Sequence, residues 1–260
     1  MIQPASHSSD APSYPRYEPG EPVALFIPCY VDQFYPQIGE ATARLLLKLG
    51  VPVVFPEKQT CCGQPAFNSG YWEEARTVIH HFCESFLDQK WIVSPSGSCT
   101  AMCRVFFGHV DPDPKVTGVG GRVFELTEFV VNVLGVTDVG ASFPHKVTLH
   151  VGCHGRRELG VVDPPLALLR KVRGLEYREL ANVEECCGFG GTFSVKMPGT
   201  SLAMGRTKVE NIVRSGAEVV VSADISCLMH VGGILRRDPA TRHIQTLHIA
   251  EVLVAGGSAG

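Results

Sequence analysis

Ten cysteines stand in this 260-residue chain, at positions 29, 61, 62, 83, 99, 103, 153, 186, 187 and 227. Their thiolates are soft donors, suited to iron–sulfur clusters, zinc or copper(I), and their thiols can also exchange disulfides. The spacing narrows the choice. Thirty-one residues separate Cys29 from Cys61-Cys62-Gly63, and 36 more separate that doublet from Cys99. Thirty-two residues separate Cys153 from Cys186-Cys187-Gly188, and 39 more precede Cys227. Matching cysteines are offset by 124, 125, 125 and 128 positions, and each Cys-Cys-Gly reaches a serine, Ser69 or Ser194, after five more residues. Two such doublets in matching frames mark an internal repeat.

Adjacent cysteines fit one chemistry better than the others. Zinc sites space their thiolates Cys-x2–4-Cys so that one turn wraps a single tetrahedral ion. Neighbouring side chains point apart and reach different iron atoms of a larger cluster more readily. Gly63 and Gly188 relax the backbone beside each doublet, and Gly190-Gly191 would let main chain approach inorganic sulfur. A zinc module that docks partner proteins is the alternative, and zinc can also enter as a contaminant in aerobically prepared protein if clusters are lost to air. A thiol–disulfide enzyme is disfavoured, because a disulfide between neighbours is strained and the chain has no Cys-x-x-Cys.

These side chains need elements to position them. VALFIP before Cys29 and KVTLHVG before Cys153 are β-branched runs that predict strands. VPVVFP (51–56) and LEYREL (175–180) predict strands leading to the doublets, and WIVSPS (91–96) and EVVVSA (218–223) predict strands leading to Cys99 and Cys227. Helical spacing covers 39–50, 71–88, 166–174 and 200–215, whereas GVGG (118–121) reads as a loop. The expected fold is α/β, with two pseudo-symmetric repeats, 21–140 and 141–260, each a mainly parallel sheet with flanking helices. Ligands of such sheets gather beyond the strands' carboxyl ends. Each quartet, Cys29, Cys61, Cys62 and Cys99 or Cys153, Cys186, Cys187 and Cys227, should therefore converge on its own rim. Residues 1–20, rich in proline and polar side chains, are expected as a disordered tail.

Bulk properties exclude some partners. A net charge of −3 with scattered Lys and Arg argues against nucleic acid. No apolar run approaches the roughly 18–20 residues of a membrane helix, and the N-terminus lacks the pattern of an export signal, so a cytoplasmic protein is expected.

The repeated Cys-x31–32-Cys-Cys-Gly-x35–38-Cys pattern resembles the cysteine-rich CCG domain of heterodisulfide reductase and of the iron–sulfur subunits of glycolate and glycerol-3-phosphate oxidising enzymes. CCGQPAFNSGY (61–71), SPSGSCTAM (94–102), NVLGV (132–136), CCGFGGTFSVK (186–196) and HIAEVL (248–253) resemble, more narrowly, the lactate utilization protein A family. That resemblance implies oxidation of L-lactate, a small 2-hydroxy acid, to pyruvate with two partner subunits, one carrying ferredoxin-like clusters. It also implies two iron–sulfur clusters, [4Fe-4S] or non-cubane. The non-cubane form uses a fifth cysteine, as Cys-x-x-Cys. Here Met102 stands three residues after Cys99, with Cys103 next, and His230 stands three after Cys227, so Cys103 and His230 are the possible additional ligands. Cys83, among Ile79, Phe82 and Phe86, reads as a buried hydrophobe. Arg156 and Arg157, with His154 beside Cys153, could grip a carboxylate but read rather as a solvated loop.

Overall fold

A computed structural model describes residues 14–256. Eight parallel strands form two sheets. The first comprises β1 (Val23–Leu25), β2 (Val53–Val54), β3 (Trp91–Ser94) and β4 (Val123–Glu125), in the order β2-β1-β3-β4. The second comprises β5 (Lys146–Leu149), β6 (Glu176–Tyr177), β7 (Val219–Ser222) and β8 (Gln245–His248), in the order β6-β5-β7-β8. The expected α/β fold with two repeated sheets is the observed one. The six expected strands form; β4 and β8 were not anticipated, because VFE and QTLH are too short to carry a periodicity.

Continuous burial along β1, β3 and β7 follows from covering a parallel sheet on both faces. Successive residues serve different cores. Val23, Leu25, Val93, Val147, Leu149, Val219 and Val221 join one apolar cluster shared by both sheets. Ala24, Phe26 and Ile92 turn outward to a cluster with Ile79, Phe82 and Phe86, and Val220 turns to another with Ile212, Leu228 and Leu235. This outer cluster of the second sheet also takes Val31 and Ile38 from the first half, so the halves interlock.

The helices follow their apolar stripes. Pro36–Lys48 starts with proline in its first turn and buries Ile38, Ala41, Thr42, Leu45 and Leu46. Trp72–Phe86 and Pro198–Ser215 fall close to their expected spans, whereas Asp163–Leu169 ends before the expected 174. The GVGG stretch corrects the loop reading: Gly118 and Gly120 lie within the helix Pro114–Gly120, nucleated by Pro114 and capped by the Asp113 side chain. Residues 1–13 of the expected tail lie outside the described residues. The rest of that stretch is anchored: the Tyr14 hydroxyl donates to Glu128 Oε1 at 3.0 Å, and the Tyr17 ring packs on Trp91 and Phe129 with centroids 5.8 and 5.9 Å away.

Two polar contacts tie the halves together. Asp224 Oδ1 accepts from Ser96 Oγ and from the Ser98 amide, each at 3.0 Å. His248 Nε2 donates to the Pro95 carbonyl at 3.0 Å while its Nδ1 accepts from the Ala250 amide at 3.1 Å, which fixes a neutral tautomer. His248 and Glu125 occupy matching places, each closing a capping box at the end of the last strand of its sheet, with Glu251 and Glu128 respectively.

Glu125 is 1% exposed, and burial raises its carboxyl to about 7 from an ordinary 4.5. The folded chain therefore holds a proton that the unfolded chain releases between those values, so stability falls as pH rises from 4.5 to 7. Denaturation of the wild type and Glu125→Gln across pH 4.5–8 checks this. The stability difference between them should move against the wild type by up to roughly 3 kcal/mol as pH rises.

Candidate metal centre

Each sheet reverses strand order between its first and third strands, and in open α/β sheets ligands bind in the crevice outside the carboxyl ends at that point. Cys29 follows β1 and opens the helix Cys29–Phe34; Cys61 and Cys62 follow β2; Cys99 lies in the helix Gly97–Ala101 after β3. Ser96 caps that helix, its Oγ accepting from the Cys99 amide at 3.3 Å. In the second half, Cys153 opens the helix Cys153–Arg157, the Cys186-Cys187 doublet follows β6, and Cys227 lies in the helix Ile225–Arg237.

All eight of these cysteines line one cavity of about 230 Å³. Each quartet lies at the carboxyl ends of its own sheet, as expected, and the shared apolar core sets the sheets together so that both crevices open into a common space. Within it the thiols form two chains of contacts, Cys29–Cys61–Cys62–Cys99 and Cys153–Cys186–Cys187–Cys227. Tyr30, Gln64, Asn68, His154 and Phe189 complete much of the wall.

Charge within each chain is uneven in the same way. Contact with the thiols of Cys29 and Cys62 lowers Cys61 to about 3, and contact with Cys153 and Cys187 lowers Cys186 to about 2. The amides of Gly63 and Gly188 add to this, pointing at these sulfurs from 3.4 and 3.3 Å. The neighbouring thiols Cys29, Cys62, Cys153 and Cys187 are pushed up, by bonding to an ionised or thiol neighbour and by burial. Cys227 is lowered to about 7 by Cys187 and by the imidazole of His150. Among the described residues no lysine or arginine lines the cavity, and Asp224 adds an acid to it. Eight convergent soft donors with no lining cation fit a thiolate-bound metal centre in each half. A bound cluster would be held by each quartet and would supply one-electron redox chemistry there.

Of the other sequence candidates, His154 reaches the cavity and the rest lie outside its lining. Cys83 is buried in the outer core of the first sheet, and burial raises its thiol to about 11. Cys103 sits in a π-helical turn, Met102–Phe106, buried in the same core with Cys62 and outside the cavity lining. His230 also stays out of the lining; its Nε2 faces the Ser201 carbonyl at 3.3 Å and its ring lies near Phe189. His154 lines the cavity, Nδ1 lying 3.5 Å from Gln64 Nε2. Arg156 pairs instead with the exposed Glu184 at 3.5 Å, and neither Arg156 nor Arg157 lines the cavity.

Three residues escaped the sequence reading. His150 is buried with its donor nitrogen within 4.8 Å of the Cys187 and Cys227 sulfurs. Asp224 joins the halves at the cavity wall. Lys208 is wholly buried; burial lowers its ammonium against the opposing pull of Glu185, Cys187, Cys186 and Cys227, and its Nζ donates to the Asn182 carbonyl at 3.1 Å. Superposing the repeats by number would have exposed the first two, since His150 stands where the first half has Phe26 and Asp224 where it has Ser96.

Comparison with known proteins agrees with the geometry. The model of the cysteine-rich CCG domain matches residues 23–104 and again 147–232, one copy per sheet. Lactate utilization protein A of Exiguobacterium sp. (strain ATCC BAA-1283 / AT1b) is 50% identical over 241 residues, covering 90% of this chain and 97% of that protein. Its namesake in Bacillus subtilis (strain 168) is 48% identical over 235 residues, covering 89% and 98%. The chain belongs to the lactate utilization protein A family of CCG-domain proteins. A hypothetical protein from Helicobacter pylori shares the fold, with a TM-score of 0.60 at 10% identity; the match covers 98% of this chain and 52% of the other.

Gly63 and Gly188 hold φ of 84° and 89°, which favour glycine at both doublets. A side chain at Gly63 would find its nearest neighbour, Ala75 O, at 3.4 Å, whereas at Gly188 it would collide with Ser201 O and Gly205 N. Both alanine variants should lose stability, roughly 1–3 kcal/mol from backbone strain, and Gly188→Ala more than Gly63→Ala. Thermal denaturation of the two checks the order.

Proposed function

We propose that the chain is the iron–sulfur subunit of a cytoplasmic oxidoreductase system that oxidises L-lactate to pyruvate. In this reading the two thiol quartets hold two clusters, [4Fe-4S] or non-cubane, which exchange electrons with partner subunits. The observation that carries the reading is the convergence of both quartets on one cavity. Oxidising a 2-hydroxy acid to the 2-oxo acid releases two electrons and two protons, and two one-electron centres match that count. The chain's own groups would act around them: the Gly63 and Gly188 amides stabilise negative sulfur, while Gln64, Asn68 and His154 offer hydrogen bonds to a polar molecule in the cavity. The relatives' names supply the substrate class, and their letter A implies further subunits, of which one is expected to carry ferredoxin-like clusters. No helix among the described residues is long and apolar enough to cross a membrane, in keeping with a reading that needs no span.

One observation favours a second reading, zinc. The donor atoms of His150, Cys187 and Cys227 all lie within 4.8 Å of one another, a separation that a single tetrahedral ion could draw together.

Anaerobic purification with iron, acid-labile sulfide and zinc analysis decides between them. The full chain should carry iron and sulfide in about equal amounts and a paramagnetic signal on reduction, and Cys61→Ser or Cys186→Ser should each remove about half the iron. Zinc without iron or sulfide would support the second reading and overturn the first. With the partner subunits present, lactate should reduce the iron centres.

A further inference from the structure

His150 stands at a place the repeat makes easy to define. Its backbone amide donates to the Val221 carbonyl at 2.8 Å, as that of Phe26 donates to the Val93 carbonyl at 2.9 Å, so the two residues continue β5 and β1 in the same way. Phe26 suits its surroundings: it is wholly buried, with Phe82 and Phe86 ring centroids 4.8 and 5.9 Å away. His150 is 2% exposed, its ring nitrogens meet no oxygen or nitrogen partner, and the polar group its imidazole acts on is the Cys227 thiol. A buried imidazole left so is costly unless something absent from the protein's own atoms satisfies it. Its neighbours identify the something. A ligating nitrogen of His150 and the sulfurs of Cys187 and Cys227 lie within 4.8 Å of one another. Ligands of one tetrahedral ion with metal–sulfur bonds of about 2.3 Å stand roughly 3.8 Å apart, so small side-chain shifts close the site.

The other side of the ring matters too, because a metal-bound histidine usually donates its second N–H to a carboxylate, carbonyl or water. His150 lines a second, small cavity with Glu125, Thr127 and Asp224, and Glu125 Oε1 is itself buried without a partner. Both residues border the same small space.

We infer that His150 is a nitrogen ligand of the metal centre held by Cys187 and Cys227, its remaining N–H turned to the small cavity with Glu125. The inference rests on a metal centre being present in the second half, as proposed above. It makes the centres chemically unequal: the first has only thiols and an aromatic cover, the second a mixed sulfur and nitrogen donor set. Duplication alone gives no such difference.

The test uses the full-length chain, reconstituted anaerobically with iron and sulfide and reduced, with iron and sulfide counted first. Pulsed electron paramagnetic resonance on protein grown with 15N-histidine reads nitrogen bound to iron. A strong histidine-nitrogen coupling is expected in the wild type, absent in His150→Phe and retained in His154→Phe and His230→Phe. No such coupling in wild-type protein carrying iron at both centres overturns the inference, as does a coupling that survives His150→Phe. Should His150→Phe fail to fold, His150→Gln takes its place, and the wild-type spectrum already decides. An iron-free chain defeats the functional reading separately, and His150 is then read with Co2+. Titration of the metal-free protein should give a cobalt–thiolate absorption whose ligand-field bands shift in His150→Phe; bands identical in the two proteins overturn the inference.

Discussion

Burial of two parallel sheets on one shared apolar core, filled between them by helices of both halves, is the constraint from which the site follows. A parallel sheet survives in water only when both faces are covered. Here helices cover the outer face of each sheet, with Val31 and Ile38 of the first half joining the cover of the second sheet, and the inner faces meet a shared core that helices of both halves fill. The alternation of Val23 and Leu25 inward with Ala24 and Phe26 outward divides each strand between the two tasks. Because the shared core fixes the sheets relative to each other, their carboxyl ends cannot open on unrelated surfaces. Eight sulfurs that come from six separate stretches of chain meet in one cavity because of a shared core that contains none of them.

The cysteine frame, the repeat and the parallel α/β class were readable in the sequence for physical reasons. Thiol spacing is discrete, and strands buried on both faces leave uninterrupted apolar runs such as WIV and VVV. What escaped is tertiary or too short to show a period. VFE and QTLH are three- and four-residue edge strands that acquire their identity by pairing with β3 and β7. GVGG looks like punctuation, yet folds as helix once Pro114 and Asp113 have set its start. Tyr14 and Tyr17 sit in a polar, proline-rich stretch, and only the position of Glu128 and Trp91 shows why they are held. Nothing local to either cysteine quartet could say that both face the same space.

The repeats differ where it costs most to differ. Surface positions of a duplicated domain drift freely, but Phe26/His150, Ser96/Asp224 and Glu125/His248 are all buried, and each exchange alters the polar groups buried there. Asp224 and Ser96 answer each other: the carboxylate accepts from the serine hydroxyl across the pseudo-symmetry, a bond that two serines or two aspartates would not make as well. Gly152 makes room for it, since a side chain there would meet Asp224 Oδ2 at 2.5 Å. The asymmetry thus joins the halves; a perfectly symmetric pair would lack this lock.

Electrostatics explains why such a cavity wants metal. Thiols packed this closely cannot all ionise, because each thiolate raises the next, and the protons distribute over the group rather than over single residues. Cys61 and Cys186 take the charge because each sits between two thiols that can bond to it and accepts an amide as well. Cys29, Cys62, Cys153 and Cys187 are pushed the other way by that bonding and by burial, and hold their protons. With no arginine or lysine among the described lining residues, and with Asp224 already acidic, the protein itself supplies little positive charge to draw those protons off. Lys208 contributes at a distance in the second half, its own charge opposed by burial. Soft cations can deprotonate all the thiols of a quartet together and neutralise them in the same step.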